Sequence, residues 1–210
     1  MYKTCDDDKA LAAIDIVTLK TAASFRAALR TVVRGYVRGG LSNGDFVLDF
    51  FTVIGNGYRN AWKVGAATCG IKPSEFTGEI EDKIQSEING QLSFISGFRD
   101  TLVLLSEGGK MNAELSKVDI WAKRWDEQRQ KAMTELCGRK KLMWVLGVAE
   151  HCKSCISLNG IVKPAAFWKS QGVLPRVAGA SYLECRGYRC QCGFKPTRKA
   201  ITKGPLPSLP

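Results

Sequence analysis

Residues 141–160, KLMWVLGVAEHCKSCISLNG, mark the point where the chain changes from helical patterning to short strands and a cysteine pair. The apolar run at the start of this stretch, Lys141–Gly147, contains aromatic and β-branched residues and is typical of a strand. Ile161–Lys163 can return as its hairpin partner, Pro164 can start a single helical turn, and Cys190–Pro196 predicts a last short strand. We therefore predict a small α+β module in the last third of the chain.

The sequence before this module follows a helical pattern. Apolar residues recur at i, i+3 or i+4 spacing along stretches that begin near Asp8, at Asp45 and at Ser74, and Met111–Leu136 is the clearest amphipathic helix. Gly138 follows it as a stop signal. The predicted fold class is α+β, with a mainly helical N-terminal two-thirds and a small Cys-rich α+β C-terminal module.

The domain organisation follows from the same change in pattern. Residues 1–137 are predicted to form a helical region and residues 138–203 a Cys-rich basic module. Residues 204–210 contain the sequence Gly-Pro-Leu-Pro and are predicted to form a flexible tail.

Two pairs of residues carry expectations about packing in the helical region. Gly55 and Gly57 weaken the middle of the second helical stretch and favour a break there. Trp121 and Trp125 lie one helical turn apart and predict a core or interface stripe rather than a base-stacking platform. If this stripe faces a partner, we expect the isolated chain to form oligomers.

The net charge of +11 is confined to the C-terminal module. Residues 1–110 hold 13 basic and 13 acidic side chains, and residues 111–137 hold 5 of each, so both regions are neutral. Residues 138–210 hold 13 basic side chains against two acids, Glu150 and Glu184. Such a region attracts polyanions by counterion release, so it suits a nucleic acid or an acidic protein surface, with simple solubility charge as a third interpretation.

No part of the sequence resembles a membrane or secretory segment. No run approaches the roughly 18 consecutive apolar residues of a membrane helix. The first residues, Met1–Lys9, carry three aspartates, whereas a secretory signal begins basic and becomes apolar. We predict a soluble protein that is made and kept in a cytoplasm, with no membrane partner.

The eight cysteines fall into two classes. Cys5, Cys69 and Cys137 are scattered, which is typical of free thiols acting as small buried hydrophobes. The other five lie within 41 residues of the basic module, and the first two belong to a predicted knuckle-like loop, His151–Gly160. These five are Cys152, Cys155, Cys185, Cys190 and Cys192.

The spacing of the five clustered cysteines favours a structural zinc site. A Cys-x-x-Cys pair places two thiolates on one turn with backbone amides facing the sulfurs, and a second cluster can close a tetrahedron with bonds of about 2.3 Å. The preferred ligands are Cys152, Cys155, Cys185 and Cys190, with Cys192 as a further candidate. Because five cysteines exceed the four that zinc needs, disulfides or free thiols stay open as alternatives, and a redox pair is another.

The sequence offers little for enzymatic chemistry. It has no phosphate-binding glycine loop with its lysine, no Gly-x-Ser-x-Gly elbow and no His-Glu-x-x-His motif. The single histidine, His151, adjoins Cys152, which is an awkward geometry for two ligands of one metal, so we interpret it as a supporting or surface residue. We predict a protein without catalytic residues.

The cysteine motif and its surroundings resemble the C-terminal domain of phage Mu protein F-like minor head proteins, also called head morphogenesis proteins. The shared pattern is a Trp-led strand and Cys-x-x-Cys within Trp144–Gly160, followed by a closing Cys190-Gln-Cys192. Cys185 takes a place where many members have histidine, although its gap to the closing pair is longer here. The resemblance covers about residues 120–207. The helical first half agrees only in character.

This resemblance implies a non-enzymatic virion structural protein. Family members are associated with the portal inside the phage head and are implicated in capsid assembly and in genome packaging or ejection. By this resemblance the expected partners are portal and capsid proteins, with the basic module against packaged DNA through non-specific electrostatics. The expected location is the head interior near the portal, and the host cytoplasm during assembly.

Two other classes of function stay open. A zinc-ribbon-like regulatory protein that binds nucleic acid would also use a basic, Cys-rich module. It would bind DNA alone in solution, whereas a head protein needs portal or capsid protein to assemble. A redox or metal-dependent enzyme is a third class.

Overall fold

The computed structural model describes residues 21–105, 111–148, 150–188 and 190–209, and it is dominated by helices. The helices in these residues are α1 (Ala22–Val37), α2 (Asn43–Ala67), α3 (Gly78–Asn89), α4 (Leu92–Leu105), α5 (Met111–Leu136), α6 (Lys153–Leu158) and α7 (Ala165–Gln171), with a 3-10 turn at Pro73–Glu75. The strands are β1 (Lys141–Val145), β2 (Val162–Pro164) and β3 (Gly193–Pro196). This arrangement confirms the predicted α+β class with its helical N-terminal part.

The first described helix starts at a reciprocal cap. The Thr21 hydroxyl accepts a hydrogen bond from the Ser24 amide at 3.1 Å, and the Ser24 hydroxyl accepts one from the Thr21 amide at 3.2 Å. This capping box satisfies two amides that have no partner within the helix. The predicted helix start near Asp8 lies outside the described residues.

Helix α2 runs without interruption through the two glycines that favoured a break, so that prediction is wrong. The glycines serve close packing instead. A Cβ on Gly57 would overlap the ring of Phe25 on α1, and a Cβ on Gly65 would lie 2.6 Å from the Arg129 carbonyl oxygen. The break occurs elsewhere, at Gly90, where the long stretch from Ser74 divides into α3 and α4.

The contacts divide the chain into two compact units, with boundaries inside α2 and α5. The first unit contains residues 21–61 and Phe76–Trp125. Its core includes a group of tilted and edge-to-face rings whose centroids lie 5.0–6.2 Å apart. Trp121 and Trp125 are both buried, which confirms the core interpretation of this pair. The rings of this group are Phe46, Phe50, Phe98 and Trp121.

The second unit contains Trp62–Glu75 and residues 126–209, including the three-stranded sheet. Strand β1 lies in the middle and pairs antiparallel with β2 and β3, as the predicted hairpin partner and last strand required. The rings of Trp144, Trp168 and Phe194 pack together on this sheet, with centroids 5.0–5.9 Å apart. The sheet therefore buries three large aromatic side chains in a small module.

Cys69 and Cys137 form a disulfide, so the prediction that both are free thiols is wrong. Their Cα atoms are 5.4 Å apart although 68 residues separate them in sequence. Both pack in the core of the second unit, where the loop after α2 meets the end of α5. The spacing of Cys69 and Cys137 in the sequence does not indicate that they pair. Cys5 lies outside the described residues.

The described end of the chain, residues 204–209, forms neither helix nor strand. Leu206 and Leu209 in this segment pack against the core of the second unit. Over the part of the chain that the structure describes, no helix is both long and apolar enough to cross a membrane.

Candidate metal centre

The first half of the cysteine motif lies at the start of α6. Cys152 is the N-cap of this helix, and Cys155 lies within its first turn with only 1% of its surface exposed. This short helix corrects the predicted loop over His151–Gly160. The Glu184 carboxylate accepts a hydrogen bond of 2.8 Å from the Lys153 amide, which would otherwise lack a partner at the helix start.

The second half of the motif begins with tight turns over residues 185–188. Arg186 and Gly187 both have positive φ angles, 47° and 73°. A Cβ on Gly187 would overlap the carbonyl oxygen of Val177, so only glycine fits this close approach. The Glu184 amide, just before these turns, donates to the Ser154 hydroxyl at 3.0 Å. The two halves of the motif are thereby joined through α6.

The structure brings all five predicted metal residues into two overlapping groups. The sulfurs of Cys152, Cys155 and Cys185 lie within 4.8 Å of one another, and so do those of Cys155, Cys190 and Cys192. The Cys155 and Cys190 sulfurs are 3.8 Å apart. A tetrahedron with metal–sulfur bonds of about 2.3 Å has edges of about 3.8 Å. Cys155 belongs to both groups and is the centre of the cluster.

The choice of four ligands stays a prediction. Among the described cysteines, no four sulfurs lie within 4.8 Å of one another. Cys192, which the sequence analysis placed outside its preferred four, is fully buried and belongs to one of the two groups. Cysteines from both groups can therefore supply the ligands other than Cys155.

Backbone amides face the sulfurs of Cys152 and Cys185. Burial opposes ionisation of Cys152, but hydrogen bonds from the amides of Cys155 and Cys185 hold the pKa of Cys152 below its ordinary value. Burial raises the pKa of Cys185, and the Gly187 amide partly offsets this effect. Amides placed in this way stabilise thiolates, which are the form of cysteine that binds metals.

In the group formed by Cys155, Cys190 and Cys192, the surroundings favour ionisation of Cys192. Hydrogen bonds from Cys155 and Cys190 lower the pKa of Cys192 to about 3, although its burial acts in the opposite direction. The Gly147 amide supports the same thiolate. Hydrogen bonds to Cys190 and Cys192, together with burial, raise the pKa of Cys155. The surroundings of Cys192 thus favour its thiolate form, which is the form of cysteine that binds metals.

Two further side chains lie against Cys192. The indole Nε1–H of Trp144 is buried without a nitrogen or oxygen acceptor, and it contributes to lowering the pKa of Cys192. The His151 Nδ1 atom is 3.6 Å from the Cys192 sulfur, while its Nε2 atom is 3.1 Å from the Gly147 carbonyl oxygen. His151 is half-buried beside the cluster.

Arg176 holds the loop that carries the closing cysteines, a role that the sequence analysis missed. Its guanidinium donates to the carbonyl oxygens of Gln191 and Cys192, both at 2.7 Å. It also forms an ion pair of 2.6 Å with Asp126 on α5. Arg176 has a φ of 66°, in a segment without periodic pattern. No local sequence signal distinguishes this arginine from the other basic residues of the module.

The cluster could hold a metal ion. Its donors are sulfurs from both halves of the motif, and the Cys155–Cys190 separation matches a tetrahedral edge. The buried Trp144 indole and the backbone amides would stabilise the negative charge of bound thiolates. A sulfur-only donor set suits a soft or borderline metal rather than magnesium or calcium.

Comparison with known proteins adds no relative to this description. No protein-family model, no curated protein and no solved structure matches the chain.

Proposed function

We propose that this chain is a phage minor head protein, similar to the Mu protein F-like group, whose C-terminal module is stabilised by one structural zinc ion. The observation that carries the proposal is the convergence of the five motif cysteines on one cluster beside the Trp-led strand β1. These are the residues on which the sequence resemblance rests.

Zinc is the metal that we propose for the cluster. Zinc accepts tetrahedral sets of four thiolates, and such closed sets are structural rather than catalytic. We expect Cys155 to be one of the four ligands, because it belongs to both groups of sulfurs. The fifth cysteine then lies beside the bound ion. This arrangement leaves no position for a substrate, in keeping with a protein that is not an enzyme.

The rest of the chain has a consistent place in this proposal. The helical region would attach to portal and capsid proteins in the head interior, and the basic module would lie close to packaged DNA. Capsid assembly and genome packaging or ejection are the processes that it would support. During assembly the chain would be present in the host cytoplasm.

Co-assembly with head proteins tests this proposal. The chain is expressed together with the portal and major capsid proteins of a phage that carries a Mu protein F-like head protein, and particles are purified on a gradient after nuclease treatment. We expect the chain to sediment with portal-containing particles. A basic protein of equal size and charge, expressed in the same way, controls for non-specific trapping.

The regulatory alternative predicts the opposite outcome. A zinc-ribbon-like regulator would be absent from particles and would protect a defined DNA sequence in a footprinting experiment as an isolated chain. That pair of results would overturn the head-protein proposal.

A further inference from the structure

The basic segment that follows β3 is hydrogen-bonded along one end of the sheet. The Ala165 amide donates to the Lys140 carbonyl at 2.9 Å, and the Thr197 amide donates to the Lys141 carbonyl at 3.1 Å. The Thr202 amide donates to the carbonyl of Val162 at 2.9 Å. The segment 195–204, which we call the basic strap, therefore crosses the sheet where β1 begins.

Two lysine side chains of the sheet hold the basic strap in place through hydrogen bonds to its carbonyl oxygens. Lys141 donates through Nζ to the carbonyl oxygens of Arg198 and Lys199, at 2.9 and 2.6 Å. Lys163 is 5% exposed and donates through Nζ to the carbonyl oxygens of Thr202 and Gly204, at 2.8 and 2.5 Å. Burying an ammonium group is costly unless it is hydrogen-bonded, so these contacts give the strap a defined course beyond the end of β3.

The strap's own cations are free. All four are exposed, and none forms a hydrogen bond or ion pair through its side chain with another described residue. These are Lys195, Arg198, Lys199 and Lys203.

The two acids of the module belong to the other end of β1. Glu184 is bound to the start of α6, and Glu150 lies in the segment that leads from β1 to α6. Five residues of strand separate the two ends of β1 by about 13 Å. Both acids of the module thus lie toward the cysteine cluster, whereas the four free cations of the strap lie toward the end of the sheet where β1 begins.

We infer that the basic strap is a binding surface for the phosphate backbone of duplex DNA, without sequence preference. This inference refines the proposed contact with packaged DNA and rests on it. The strap contains no aromatic residue on which unpaired bases could stack, which argues against a single strand. Ile201 is its one large exposed apolar side chain, which is too little for the core of a protein interface.

Binding to a fluorescent 30-base-pair duplex tests the inference. Fluorescence anisotropy is measured on the full, zinc-loaded chain with the Cys69–Cys137 disulfide intact, across a KCl series. The strap variant carries K195Q, R198Q, K199Q and K203Q. The matched control carries R34Q, R38Q, K63Q and K123Q, four exposed basic residues outside the strap, so both variants lose the same charge.

We expect the strap variant to bind at least ~30-fold more weakly at 100 mM KCl and to lose about 3 from the slope of log K against log[KCl], because each phosphate contact contributes about 0.9. The control should change the slope by less than 1. A charge-preserving variant, K195R with K199R and K203R, should bind like the unmodified chain.

Three results would overturn the inference. Equal weakening by both four-residue variants would mean that net charge alone attracts DNA. Loss of binding to a poly-glutamate peptide, with duplex binding unchanged, would assign the strap to an acidic protein. A tenfold preference among unrelated duplexes would indicate sequence reading. Particle incorporation is scored separately, so failure of the strap leaves the head-protein proposal to its own test.

Discussion

At the scale of single residues, the candidate metal centre depends on side chains and glycines that are not ligands. Arg176 orders the loop of the closing cysteines through two backbone carbonyls, and its side chain is about three-quarters buried. Gly147 lets the chain after β1 approach the same loop, because a Cβ there would overlap the Gln191 carbonyl oxygen. Both residues therefore affect the positions of Cys190 and Cys192.

Replacing Arg176 with lysine should destabilise the second unit by about 1–3 kcal/mol. An ammonium group cannot reach both carbonyl oxygens and Asp126 at once, so at least one buried polar group loses its partner. Urea unfolding followed by tryptophan fluorescence measures the change. Arg186→Lys is the control, since Arg186 also has a positive φ but is exposed. Equal stability of the two variants would contradict the role given to Arg176.

Replacing Gly147 with alanine should weaken metal retention and lower the melting temperature. The new methyl group would overlap backbone atoms of Gln191, which must shift and carry Cys190 and Cys192 with them. Gly97→Ala is the control, because a Cβ there meets nothing within 4 Å inside helix α4 and should be neutral or slightly stabilising. Metal content after dialysis and thermal unfolding are the measurements. The prediction fails if both variants retain metal equally.

At the scale of elements, the disulfide ties the loop after α2 to the end of α5. The pair closes a loop of 68 residues, and it packs in the same core as Trp144 and Cys155. Cross-links over long loops stabilise mainly by restricting the unfolded chain, typically by about 2–4 kcal/mol. The sequence predicted a free thiol at Cys69, with no cross-link in this core. The structure reverses that expectation.

Cys69→Ser should therefore lower the free energy of unfolding by about 2–4 kcal/mol. Urea unfolding is measured with and without dithiothreitol. The reductant should weaken the unmodified chain to the level of the variant and should have no further effect on the variant. An unmodified chain whose stability is independent of reductant would show that the bond does not contribute.

At the scale of the whole molecule, the two units draw their stability from different sources. The first has helices packed around an aromatic core. The second holds three short strands, two short helices and the cysteine cluster alongside the end of α5. A module with so little regular structure is marginally stable without a metal or a cross-link. Metal removal should thus act on the second unit alone.

The reduced chain should contain about one zinc ion, and chelation should unfold residues beyond 138 while the α1–α4 helices persist. Elemental analysis gives the stoichiometry, fluorescence of Trp144 and Trp168 follows the module, and circular dichroism at 222 nm follows the helices. Cys155→Ser should have the largest effect of any single cysteine substitution, because Cys155 belongs to both groups. Cys152→Ser and Cys190→Ser should cause the same selective loss.

The controls for this prediction separate metal from cross-links. A mass lower by 2 Da for each bridged pair, in the absence of reductant, would indicate disulfides among the five clustered cysteines. An intact module under reducing conditions with no metal present would end the zinc hypothesis.

The sequence by itself determined the features that depend on neighbours along the chain. Helical periodicity placed most of α2 and all of α5, and the apolar run at β1 and its hairpin partner predicted the sheet. Cysteine spacing predicted the five residues that converge, since the two halves of the motif each form a local turn. These patterns are local because hydrogen bonds and side-chain spacing in helices and turns involve residues only a few positions apart.

Only the tertiary structure decided which distant residues meet. The Cys69–Cys137 disulfide, the clamp of Arg176 on the closing loop, and the use of Gly57 for close packing each join segments far apart in sequence. The position of the strap's four cations likewise follows from strand pairing, because the antiparallel order brings the start of β1 beside the strap. Such contacts depend on how the elements pack in space, which spacing along one chain does not encode.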